Sequence, residues 1–223
     1  SAASDVYKRQ EYGSRVGVWR ILDLFRDREL PLTIFAVAMA AARNPNVIEA
    51  ALADGHEIAA HGWRWINYHG VSIDEERAHM QKAVSILQDI CGARPLGWYT
   101  GRTSENTRQL VAEDGGFTYD ADDYSDDLPF WSAQVKSPHL VVPYTLDTND
   151  MRFATAQGFH NADQFARYLI DAFDVLFVVL SHCVVFELFV LKLFVFALLF
   201  QPGVCLCVFM LCVCCVPTKH HGG

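Results

Sequence analysis

Between residues 11 and 176, short apolar runs of strand length alternate with segments of helical period, and this order constrains the fold more than any other feature of the chain. LTIFAVA, residues 32–38, is apolar except for Thr33, as expected of a strand covered on both faces. HEIAA at 56–60, PLGWY at 95–99, FTYDA at 117–121 and HLVVPYT at 139–145 are further strand candidates. Helices are expected between them. Ser14 can cap a first helix reaching Arg28, with Val18, Ile21, Leu22 and Phe25 on one face. A second, from about Pro45 to Asp54, stops at Gly55. Ser72 and Glu75 form a capping box before a helix with Ile73, Met80, Val84 and Leu87 on its apolar face and Gly92 at its end. Asn106–Asp114, closed by Gly115 and Gly116, and Asp163–Leu176 complete the set. Strands alternating with helices predict an α/β fold, a parallel sheet or barrel joined by right-handed crossovers.

In such folds ligands bind beyond the carboxyl ends of the strands. Four segments then converge there: His61–Trp65, Trp98–Thr103, Asp120–Asp127 and Thr145–Asp150, all polar and aromatic. On a strand, His56 and His61 have an odd separation and point to opposite faces; on a helix they lie about 140° apart. Neither arrangement puts both on one metal ion, and the H-E-x-x-H zinc pattern is absent. His61, at the strand's end, is the candidate for the ligand side, and His56 is expected to be structural. Trp63 and Trp65 can wall a pocket for a flat ring, or close the end of the core. Trp98, Tyr99 and Arg102 offer stacking surface and a fork of donors for a carboxylate or carbonyl. Of the five aspartates between Asp120 and Asp127, most are expected to be solvated, with Asp122 and Asp126 as candidate acid/base helpers. Asp147, Asn149 and Asp150 suit the polar edges of a ring, or an Asx turn.

Composition removes several alternatives. A net charge of −8 and the lack of a basic run argue against nucleic acid. No Gly-rich phosphate loop, G-x-S-x-G or C-x-x-C pair occurs before residue 176. After that the character of the chain changes. From Val175 to Val216 the only charged residues are Glu187 and Lys192, and five of the seven cysteines fall between Cys205 and Cys215. Crowded in this way they do not suggest a disulfide framework. Residues 193–216 form 24 uncharged residues, long enough for a membrane helix but interrupted by Gln201, Pro202 and Gly203. Residues 177–223 are therefore expected to be a frameshifted or read-through end, or else a membrane segment or a buried terminal element. SAASDVYKRQ, residues 1–10, reads as a non-native leader with no secretory h-region. The expectation is a fragment joined to foreign ends, in contact with a membrane only if the tail is native.

Several long words, GHEIAAHGWRWINY, RPLGWYTGRTSENTRQLV, YDADDYSDDLPFW and VPYTLDTNDMRFATAQGF among them, closely resemble PuuE-type allantoinases of the polysaccharide deacetylase-like (NodB homology) superfamily. The resemblance spans residues 11–176. It implies a deformed (β/α) barrel, here incomplete at both ends, and cytoplasmic hydrolysis of a cyclic amide C–N bond, allantoin to allantoate, in purine breakdown. A homo-oligomer and a small cyclic ureide as substrate are expected with it. The superfamily's metal motif, H-[ST]-x-x-H, aligns with HGWRW, so Trp65 stands at the second ligand position. An indole cannot replace an imidazole as a ligand. The resemblance therefore implies the metal-independent branch, with no cofactor. Its acidic first-strand motif would precede Glu11, and its late Leu-x-His strand would follow Leu176; LSHC at 180–183 comes too soon to be that motif.

On this basis His61 is expected to transfer protons with Asp122 or Asp126 as helper. Trp63, Trp65, Trp98, Tyr99, Arg102, Asp147, Asn149 and Asp150 would hold the substrate. Two alternatives remain: a metal-dependent polysaccharide or chitooligosaccharide N-deacetylase, and a membrane-anchored binding module.

Overall fold

The computed structural model describes residues 12–133, 135, 138–180 and 211–212. The leader, LSHC beyond its leucine and nearly all of the 177–223 tail lie outside the described residues. The chain enters through a π-helical turn, Gly13–Gly17, continuous with helix α1, Val18–Asp27. Ser14 thus lies inside a helical run that already includes Tyr12 and does not cap it. Ile21, Leu22 and Phe25 are the buried stripe of α1, as their spacing predicts.

Strands β1 (Thr33–Ala36), β2 (Glu57–Ala60), β3 (Gly97–Trp98) and β4 (Tyr119–Asp120) pair in parallel in that order. β4 next pairs in parallel with β6 (His139–Val141), which carries the antiparallel β5 (Phe130–Ser132) on its far side. Leu211–Cys212, β7, lies antiparallel to β1 at the other edge. The connections are helices: α2 (Ala38–Arg43) and α3 (Pro45–Ala53) after β1, α4 (Ile73–Cys91) after β2, and α5 (Thr107–Asp114) after β3. Beyond β6 come a 3-10 turn, Asp150–Ala154, and α6, Ala162–Leu180. Among the described residues no helix is long and apolar enough to cross a membrane.

Two elements depart from the sequence expectation. The run LTIFAVA stops being a strand at Ala36, and Ala38 begins α2. The Ala-rich segment AMAAAR has strong helix propensity, and two of its first N–H groups donate to the carbonyls of Gly62 and Trp63, at 3.0 and 3.1 Å. β5 lies just beyond the acidic segment Asp120–Asp127, where the sequence carries no strand expectation. The capping box behaves as its sequence dictates: the Glu75 N–H donates to Ser72 Oγ at 3.3 Å, and Gly92 takes the left-handed conformation, φ 71°, that ends α4.

The alternation of side chains along each strand sorts them onto two faces. Ile34, Ala36, Ile58, Ala60 and Trp98 pack outward against α1, α3, α4 and α5 in the larger core. Phe35, Ala59, Tyr99, Tyr119, Ala121 and Val142 form the second core on the inner face. At the amino ends of the strands this inner face is polar. Glu57 accepts hydrogen bonds from Thr33 Oγ1 at 2.6 Å and from the Tyr119 hydroxyl at 3.2 Å. Burial raises the Glu57 pKa.

Candidate active site

His61 follows β2 directly and shares the inner face with Ala59. It is buried. Its Nδ1 lies 2.7 Å from the Tyr99 carbonyl oxygen, so Nδ1 carries the hydrogen and donates it. That bond fixes the tautomer and leaves Nε2 with a free lone pair. The imidazole stacks on the Tyr99 ring, centroids 5.2 Å apart and planes 7° from parallel. Burial, and to a smaller extent the charge of Arg102, lower the His61 pKa and favour the neutral base. His56, at the other end of the strand, faces outward, edge-on to Phe25 in α1. The two imidazoles therefore serve different ends of β2.

The stack continues beyond Tyr99. The Tyr144 ring lies 4.9 Å away on the inner face, and Tyr124 meets Tyr144 edge-on at 5.8 Å. The Tyr99 and Tyr124 hydroxyls are 2.8 Å apart. Burial, reinforced by these hydroxyls, raises the Tyr99 pKa far above the phenolic range, so Tyr99 stays neutral. Asn149, also buried, donates from Nδ2 to the Tyr144 hydroxyl and accepts the Met151 N–H on its Oδ1 at 2.7 Å. Tyr124 and Tyr144, neither singled out in the sequence, thus tie the His61 side of the mouth to Asn149. Both follow a strand in an acidic or polar segment, which was the available signal.

Asp122 joins two loops. Its carboxylate accepts the Thr100 N–H at 2.9 Å and the Gly101 N–H at 2.7 Å. Burial pushes its pKa up to about 7, against the pull of those amides. The same β3 loop carries Arg102, whose guanidinium carbon sits 4.3 Å above the exposed Trp65 ring. The Arg102 carbonyl accepts the Tyr68 N–H at 3.0 Å, which ties this loop to the segment after β2. His61, Trp65, Tyr99, Arg102, Asp122 and Asn149 therefore gather at the carboxyl ends of the strands.

The remaining sequence candidates are placed elsewhere. Trp98 is buried on the outer face, 5.3 Å from Phe117, because it alternates with Tyr99 along β3. Trp63 packs on α4, its ring 4.7 Å from His79 and 4.3 Å from the Lys82 ammonium. Asp126 is exposed and accepts the Leu128 N–H at 3.0 Å, a turn bond. Asp147 is also exposed, in a turn where its N–H donates to Thr145 Oγ1 at 3.1 Å. Asp150 opens the 3-10 turn, half-buried.

A resident metal finds poor support in these side chains. Among the described residues, no three His, Cys, Asp or Glu side chains converge as an ion would require. The Nδ1–H of His61 on a carbonyl is equally compatible with a ligating Nε2; what such an ion would lack is a second imidazole, since an indole stands four residues on.

The sequence model of the polysaccharide deacetylase family matches residues 6–119. A Schizosaccharomyces pombe protein named as a polysaccharide deacetylase is 44% identical over 183 residues, 75% of this chain and 57% of that protein. The crystal structure of PuuE allantoinase superposes with a TM-score of 0.75 at 60% identity. A Pseudomonas aeruginosa protein described as a polysaccharide deacetylase superposes with a TM-score of 0.74, also at 60% identity. Each superposition covers 77% of this chain and 58% of the other. The chain spans somewhat more than half the length of these relatives.

Proposed function

We propose that this chain, which belongs to the polysaccharide deacetylase family and has its mixed α/β fold with a central parallel sheet, carries the site of a metal-independent hydrolase that opens the cyclic amide of allantoin to give allantoate, a step of purine breakdown. The observation that carries this is the state of His61. It is a buried imidazole whose tautomer is set by the Tyr99 carbonyl, with Nε2 left as an acceptor at the mouth of the sheet. Its neighbour in sequence, Trp65, stands where a metal-binding branch would need a second imidazole. The 60% identity to PuuE allantoinase supports the choice of substrate.

In the proposed reaction His61 Nε2 takes a proton from water as the water oxygen bonds to the amide carbonyl carbon. The carbonyl oxygen becomes an oxyanion, for which the Arg102 guanidinium on the β3 loop supplies a positive charge. The C–N bond then breaks, and the proton held by His61 passes to the departing nitrogen. The product carries a carboxylate, suited to the Arg102 fork. Trp65 offers a flat wall to the ring, Asn149 hydrogen bonds to its polar edge, and Asp122 keeps the β3 and β4 loops together. Asp126, Asp147 and Asp150 fit the entrance rather than the reacting atoms.

The second reading is metal-dependent N-deacetylation of a polysaccharide or chitooligosaccharide. The name of the S. pombe relative favours it; the donor set around His61 does not. One assay separates the two. The enzyme from the complete gene is given allantoin, then an N-acetylated chitooligosaccharide, with and without chelator. Allantoate release indifferent to chelator is expected, with a loss of about 10² or more in His61→Asn. Acetate release restored by zinc after chelation would overturn the proposal.

A further inference from the structure

We propose that Arg108 is a positioning residue of this site: its guanidinium fixes the loop after β4 so that the Asp122 carboxylate stays seated on the Thr100 and Gly101 amides.

Arg108 is the second residue of α5. A cation there opposes the helix dipole, so helix stability does not explain it. The side chain is only 15% exposed. It turns back onto the neighbouring loop, where one nitrogen, Nη2, meets three oxygens. Nη2 donates to the Asp122 carbonyl at 3.0 Å, lies 3.0 Å from Asp123 Oδ2 and 3.5 Å from Asp120 Oδ1.

Asp120 is the buried centre of this arrangement. On the outer face of β4, its Oδ2 accepts from His139 Nε2 at 2.8 Å, and its Oδ1 accepts the Asp122 N–H at 3.1 Å. Burying a carboxyl group is costly without such partners. Asp122 is consequently gripped on both sides of its α-carbon, at its N–H by Asp120 and at its carbonyl by Arg108. The next residue is held as well, since the Asp123 carbonyl accepts the Tyr144 N–H at 2.7 Å. With the backbone fixed at these points, the Asp122 side chain is aimed at the β3 loop that carries Arg102. All three contacts fall on this one nitrogen, so a lysine ammonium, a point charge with three donors on a shorter stem, would keep part of the grip.

The consequence for catalysis rests on the hydrolase proposed above; the seating of Asp122 does not. Amide hydrogen exchange is measured by NMR on the chain, unaltered and as Arg108→Met, Arg108→Lys and Asp123→Asn. In Arg108→Met, the Thr100 and Gly101 amides are expected to lose protection by about tenfold or more, while the His61 and Glu57 amides, bonded to β1 and its approach, keep theirs. Arg108→Lys should fall between, and Asp123→Asn should change little. Unchanged protection at Thr100 and Gly101, or an equal loss across the whole sheet, overturns the proposal. Allantoin turnover by the complete enzyme is read in parallel. In Arg108→Met, kcat should drop about tenfold or more with KM nearly constant, and a rise in KM at unchanged kcat also overturns the proposal. If the unaltered enzyme leaves allantoin intact, the proposed reaction fails, and the exchange data still decide the role of Arg108.

Discussion

Tyr99 stacks on His61 from the inner face, whereas Trp98, one residue earlier, packs on Phe117 behind the strand. Sequence shows that both follow the same pattern of apolar and aromatic residues, but not which of the two faces inward; only the register with β2 and β4 settles that. The same holds for Trp63, which packs on His79 of α4, and Trp65, whose exposed ring lies under Arg102. Stability and activity should therefore part company at these residues. Trp98→Ala empties a buried site and is expected to cost about 3–5 kcal/mol. Trp65→Ala, at a position 66% exposed, should change stability by about 0.5 kcal/mol or less yet slow allantoin turnover. Urea melts and initial rates on the two variants check both. Arg102 makes a different claim. Its charge helps lower the His61 pKa, so Arg102→Gln should move the acidic limb of kcat/KM to higher pH. An unmoved limb, whatever happens to KM, means that Arg102 does not face His61 in the working enzyme.

Elements announced themselves in sequence wherever a local rule was sufficient. Ser72 and Gly92 bound α4 because a hydroxyl cap and a left-handed glycine are local chemistry. Ser72→Ala should accordingly cost about 1 kcal/mol, read as a lower urea midpoint at unchanged slope. No loss would show that the first turn of α4 is held by its packing on α2 instead. What stayed hidden was non-local. α2 starts where it does because Gly62 and Trp63 supply carbonyls from a different part of the chain, and β5 exists because β6 offers an edge. In sequence Arg108 is marked only by its place in the Asn106–Asp114 helix. Of its partners, Asp122 is a sequence candidate for acid/base help, whereas Asp120 and Asp123 fall in a run whose carboxylates are mostly expected to be solvated, although Asp120 is among the most buried described residues. The positions of the four mouth loops were legible; the pairings inside them were not, since an aspartate-rich word does not reveal which carboxylate meets an amide, an arginine or water.

For the molecule as a whole, buried titratable groups pull stability in opposite directions over the same range of pH. Burial lowers the pKa values of His56 and His61 from the ordinary imidazole value of 6.5. Below that value the unfolded chain binds protons that the folded chain resists, so their contribution falls as pH drops. Asp122 acts in reverse. Its pKa rises from 3.8 to about 7 on folding, so the folded chain keeps a proton that the unfolded chain has lost. Stability from this group therefore falls as pH rises from 3.8 to about 7. The unaltered protein shows only the sum, to which Glu57 adds in the same sense as Asp122. Asp122→Asn separates the terms, because an amide oxygen can still accept from Thr100 and Gly101 but carries no titration. Relative to the unaltered protein, its urea midpoint should gain steadily from about pH 5 to about pH 7 and then level off. Its own curve should still decline toward acid, from the two histidines, and His56→Phe in the same background should reduce that decline. A difference between Asp122→Asn and the unaltered protein that stays constant over this range would mean that Asp122 is ionised throughout. The carboxylate would then be an anionic latch between the two loops at every pH at which the protein works.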